Sequence, residues 1–169
     1  MSIQYLPDFG RPIGAEAPIS SDHLFKDTDD IKDVKLRVTQ SQDNDPRHHH
    51  WTIFWVVANC GDIEVHRRVH VVREIGASHL TNWGAVTSSM DPDPTTRDIF
   101  IKRMTLAERK RLEEIGNTTP VRVPDGDWNC QNWVYSVLRT AEKEDLLAPQ
   151  ESVSVVIRAL GVKFDATSS

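Results

Sequence analysis

The stretch VPDGDWNCQNWVYSVL, residues 123–138, sets a cysteine directly behind a chain-breaking Pro124-Asp125-Gly126 turn. Asp127 reads as a helix cap, and Trp133, Val134, Val137, Leu138 and Ala141 follow at helical spacing, so Cys130 falls in the first turn of a helix. Unpaired N–H groups and the positive end of the helix dipole favour an anion there, and a thiolate is an anion. The position suits a nucleophile. It suits an inert buried thiol as well, since free cysteine is among the most buried residue types.

Six of the seven histidines lie between residues 48 and 79. His48, His49 and His50 open one apolar, β-branched run, and His66 and His70 share one face of the next, because strand side chains alternate. A three-residue loop Asn59-Cys60-Gly61 ending in a left-handed glycine would pair Ala58 with Asp62 and set His50 opposite His70. His66 would then face Phe54, roughly 13 Å from His50 along the sheet at about 3.3 Å per residue. A loop of two or four residues would invert the parity and put the two histidines on opposite faces.

These residues need a scaffold. Residues 33–40 alternate as a strand; 48–58 and 62–72 form the strongest hairpin signal; 84–96, with Asp91-Pro92-Asp93-Pro94 at its centre, reads as loop. Thr105 and Glu108 form a capping box opening a helix over 105–115, with Gly116 placed to end it. The segment TPVRVP is a candidate short strand. Pro149 suits the first position of a helix running to Leu160, although Val-Ser-Val-Val-Ile within it also suits a strand. Strands precede helices, which predicts an α+β fold: an antiparallel β-sheet with the cysteine-bearing helix packed on one face. Residues 1–22 read as an irregular arm, 23–164 as a single domain, and 165–169 as a disordered tail.

HWTIFWVVANCGDIEVH, followed later by NCQNWV, resembles the lecithin retinol acyltransferase-like, circularly permuted branch of the NlpC-type papain-like cysteine enzymes, and uncharacterised fungal proteins of that type. The matching pieces are His50-Trp51, Gly61-Asp62, His66 or His70, and Asn129-Cys130 with Trp133, under a quarter of the chain. The resemblance implies Cys130 as nucleophile, His50 as base and His70 as the residue orienting the base, with His66 as the alternative third residue. It implies acyl transfer, as hydrolase or acyltransferase, on an amide, ester or thioester through a thioester intermediate. Such a site requires Cys130 within about 4 Å of His50, and a neighbouring histidine would lower the thiol pKa below its free value of about 8.5. Trp128, Gln131 and Trp133 are the candidate substrate-binding residues. The chain has no apolar C-terminal anchor of the kind found in phospholipid-modifying members, which disfavours a bilayer substrate.

The chain has 169 residues, 38% hydrophobic and 27% charged, with a net charge of −5; it is long enough for one cored domain and offers no basic patch for nucleic acid. Its two cysteines, Cys60 and Cys130, have no zinc-ligand or CxxC spacing, so no metal and no other cofactor is expected. A reduced, cytoplasmic setting is the expectation, given two free thiols, no secretory leader and no apolar run long enough for a transmembrane span. The expected partner is a small-molecule or peptide substrate. His48 and His49 read as solvated, Cys60 as structural or exposed, and Arg67-Arg68 and ERKRLEE as solvated faces. Two other functions fit the same residues: a non-catalytic binding domain, and a secondary-metabolism cyclase or isomerase using the same pocket.

Overall fold

The computed structural model describes residues 3–164. The alternating run is β1 (Lys32–Thr39), with Val34, Leu36 and Val38 buried. β2 (His50–Cys60) and β3 (Ile63–Val69) form the hairpin, and β4 (Val86–Met90) and β5 (Thr96–Met104) complete a five-stranded antiparallel sheet in the order β4-β3-β2-β1-β5. Three helices follow: α1 (Leu106–Thr118), α2 (Cys130–Lys143) and α3 (Pro149–Leu160). The fold is α+β. One face of the sheet, carrying Leu36, Val38, Trp51, Ile53, Trp55, Val69 and Ile99, shares a single apolar core with Leu112, Trp133, Val137, Leu138 and Val155 of the helices.

β4 and β5 were not legible. β4 occupies residues read as loop, because VTSSM carries little apolar content and its strand character comes from pairing with β3. The two are opposite edges of the sheet, yet residues 91–95 alone join them. Met90 lies beside Glu64, near the Asn59 end of β2, while Thr96 lies beside Thr39, near the His50 end. In a flat sheet those points stand about 19 Å apart across the strands and roughly 30 Å along them. Six Cα steps reach about 20 Å at most, and a turn closed by Thr96 N–H on the Asp93 carbonyl shortens them further. The sheet is therefore curled like a tilted open barrel. Met90 of β4 accordingly lines the same cavity as Arg37 and Thr39 of β1, although two strands lie between them.

The hairpin differs from the expected three-residue turn. Cys60 pairs with Ile63, so Gly61-Asp62 is a two-residue loop with Gly61 at φ 65°, a first-position glycine as in type II′ turns. Alone this loop would put His50 and His70 on opposite faces. A bulge between Val56 and Ala58 adds one residue to β2 and restores the parity, so Phe54 pairs with Arg68 and Val56 with His66.

Thr105 and Glu108 do form the capping box of α1, but Gly116 lies inside the helix. A Cβ at Gly116 would overlap Val69 Cγ1, so this glycine is where α1 meets β3 most closely. TPVRVP contributes only an isolated bridge between Tyr5 and Arg122. The N-terminal arm is tied down at Leu6 by Val121, at Phe9 by Asn82 and at Ser21 by Thr87. The proposed tail, 165–169, lies outside the described residues. ERKRLEE is solvated only in part: Lys110, Arg111 and Glu114 are exposed, but Arg109 is fully buried and bonds both carboxylate oxygens of Asp27 and the carbonyls of Thr28, Asp30 and Met104. Arg67 likewise makes a two-point contact with buried Glu113. No helix among the described residues is long and apolar enough to cross a membrane.

Candidate active site

Asn129, not Asp127, caps α2: its side-chain oxygen accepts from the N–H groups of Gln131 (2.9 Å) and Asn132 (3.4 Å), and Asn132 returns a bond to the Asn129 N–H (2.9 Å). Cys130 is thus the first residue of the helix. The β1–β2 loop is docked on this end. Asn129 Nδ2 donates to the Arg47 carbonyl (3.1 Å), and Gln131 Nε2 donates to the carbonyls of Pro46 (2.8 Å) and His49 (2.9 Å). Gln131 is therefore buried as a strut for the loop, not presented to a ligand. Trp133 is 0% exposed, with Nε1 bonded to the Thr119 carbonyl, and belongs to the core.

The Cys130 Sγ–H donates to the His49 carbonyl at 3.8 Å. Burial pushes the thiol above its ordinary value, against the backbone N–H groups of Trp51, Cys130 and Gln131 and the charge of Arg73, all of which favour the thiolate. The resting group is a thiol. Expectation and structure part here: no histidine lowers its pKa. Half-buried Cys130 opens onto a cleft of about 560 Å³ lined by Arg47, His48, Arg73, Leu80, Gly126, Asp127, Trp128 and Asn129. Trp128 is the one proposed substrate-binding aromatic that reaches it.

His50 and His70 meet, but elsewhere. His50 Nε2 lies 3.4 Å from His70 Nδ1, with the rings edge-on. Trp51 faces the helices, so His50 points to the opposite, concave side of the sheet. There His50, His66 and His70 line a cavity of about 120 Å³ with Arg37, Thr39, Thr52, Phe54, Arg68 and Met90. Burial, then the Arg68 charge, draws His50 down to about 4; burial, then His50 and Arg68, draws His70 down to about 3. Both are neutral at pH 7. His66 is buried, stacked on Phe54 with centroids 4.4 Å apart, and bonded to Glu64 at 2.6 Å. The sheet thus separates Cys130 from all three.

His49 is 1% exposed, contrary to a solvated reading, with Nδ1 held by the backbone N–H and hydroxyl of Ser41. His48 is exposed on the cleft side, its Nδ1 2.5 Å from Asp43 Oδ2, and that bond, with one from Ser41, holds the Asp43 carboxyl well below the usual carboxylate range. Sequence reasoning missed His48 and Asp43 as a pair. The five-residue spacing in DNDPRH gave little to find them by, because a turn and not a regular element brings them together. Cys60 is exposed beside the hairpin turn. Among the described residues no group of three or more His, Cys, Asp or Glu side chains is gathered as a metal ion would need. The chain matches no protein-family model, no curated protein and no solved structure.

Proposed function

We propose that this chain is a cysteine-dependent acyl-transfer enzyme, a hydrolase or acyltransferase acting on an amide, ester or thioester, with Cys130 as nucleophile and His48 as base. The observation that carries the reading is that Cys130, first residue of α2, opens onto a cleft that His48 also lines. Asp43 engages His48 Nδ1 and leaves Nε2 to accept a proton, which is the role an orienting carboxylate plays. The Sγ–H proton passes to His48, directly or through one water; sulfur bonds to the carbonyl carbon; the leaving group departs with that proton. Water or an amine then attacks the thioester, gives its proton to His48, and the thiol is restored. The N–H groups of Trp51 and Cys130 favour negative charge beside the sulfur.

The finer reading, a permuted NlpC-type papain-like enzyme, is supported by the His50-Trp51 strand, the Gly61-Asp62 turn and the Asn129-Cys130 helix start in that order. It departs from that pattern in its base, which is His48 in place of His50.

Incubating the protein with a panel of aryl ester and thioester acyl donors tests the reading. The expected result is an acyl adduct mapped by peptide mass spectrometry to Cys130, absent in Cys130→Ala, unchanged in Cys60→Ser, and formed about 10²- to 10⁴-fold more slowly in His48→Ala. Equal acylation and turnover in Cys130→Ala would end it. A non-catalytic binding domain is favoured by one observation, the buried thiol donating to the His49 carbonyl. That reading takes over if no donor acylates Cys130.

A further inference from the structure

We propose that the concave face of the sheet is a second binding site, selective for a small oxyanion group such as a phosphate, sulfate or carboxylate, and seated on Arg68 between His50 and His70. It is independent of the thiol cleft, from which the sheet separates it.

The argument starts from charge. Arg109, Arg67 and Arg37 each have a carboxylate set against the guanidinium at two points: Asp27, Glu113 and Asp98 respectively. Arg68 differs. Its Nη2 reaches the neutral Ser88 hydroxyl at 2.5 Å, its Nε is buried with no partner, and among the described residues it makes no ion pair. Arg68 is half-buried, so a guanidinium with no counter-ion there is partly desolvated, and its buried Nε without an acceptor adds to the cost.

The two carboxylates that touch the cavity's lining residues do not relieve it. Asp98 is engaged by Arg37, and Glu64 by His66. Arg37 is itself turned over the Phe54 ring, which His66 stacks against, so these groups build the wall of the cavity. The uncompensated charge facing the space is positive. One of the two neutral rings spends its N–H on the His50–His70 bond, which leaves the other ring's N–H free to donate to an anion, and Thr39 and Thr52 stand beside them. The cavity, of about 120 Å³, has room for one oxyanion group. Guanidinium chemistry suits an oxyanion, which a fork of N–H donors can bind at two points.

The experiment is an NMR titration of the full chain, following the imidazole resonances with sulfate, phosphate and acetate, each matched in ionic strength by chloride. The expected result is a saturable one-site shift of the His50 and His70 rings with at least one oxyanion, not reproduced by chloride, and unaltered in Cys130→Ala. The oxyanion that binds most tightly identifies a phosphoryl, sulfuryl or carboxylate ligand. Arg68→Gln should weaken binding about tenfold or more. The inference is overturned if the wild-type His50 and His70 resonances stay fixed, if they respond equally to chloride, or if a folded Arg68→Gln binds as well as the parent. The wild-type titration decides the matter even if that variant does not fold.

Discussion

A cysteine at the first position of a helix is electrostatically poised for ionisation, but burial works against it, and at Cys130 burial wins. The helix terminus is also less available than its position suggests, because the Asn129 side chain already takes the Gln131 and Asn132 N–H groups. The consequence can be measured with iodoacetamide. At pH 7 exposed Cys60 should be alkylated first, with Cys130 lagging and its rate climbing as the pH is raised. Peptide mass spectrometry at several times resolves the two sites; faster modification of Cys130 than of Cys60 at pH 6 would mean that the resting sulfur is a thiolate after all. In the enzymatic reading the same protonated state makes the base indispensable, so turnover should rise with pH.

At the level of elements, two single-residue features decide what faces what. The bulge between Val56 and Ala58 turns a hairpin that would have split His50 from His70 into one that joins them. Gly116 lets α1 lie directly against Val69 of β3. Alanine has the higher helix propensity, by up to about 1 kcal/mol, so on an exposed face Gly→Ala would stabilise. Here the added methyl meets a stiff β-branched side chain in a packed core, and overpacking of that kind costs about 1–3 kcal/mol. Gly116→Ala should therefore lower the urea midpoint, and a Gly116→Ala, Val69→Ala pair should recover part of the loss. A midpoint that rises in the single variant would show that α1 can move away without strain.

For the whole molecule, the curl of the sheet encloses titratable groups on the face opposite the helices of the described residues. His50 and His70 are drawn from 6.5 to about 4 and about 3, and burial lowers His49 and His66 in the same direction. Between these values and 6.5 the unfolded chain binds more protons than the folded one, so stability rises with pH across that window and is lost on acidification from about 6.5 towards 4. The loss is on the order of 3 kcal/mol from His50 alone at 1.36 kcal/mol per pKa unit. Urea unfolding at pH 7, 5.5 and 4.5 should show a falling midpoint, with a shallower fall in His50→Asn, His70→Asn. A midpoint independent of pH over that range would mean that the two rings are solvated and the cavity open.

What could be read from the residues was local. Alternation in β1, the apolar runs of the hairpin, the Thr105–Glu108 box, the first-turn position of Cys130 and the span of the last helix all follow from short-range periodicity and capping, which act within a few residues. Three things depended on the tertiary structure. β4 is a strand because β3 offers it partners, since VTSSM has little strand pattern of its own. Arg109 is buried because Asp27, 82 residues away, neutralises it. Cys130 and His50 stand on opposite sides of a sheet because one residue step along a strand reverses the side chain, and only the packing of α2 against Trp51 decides which side the thiol takes.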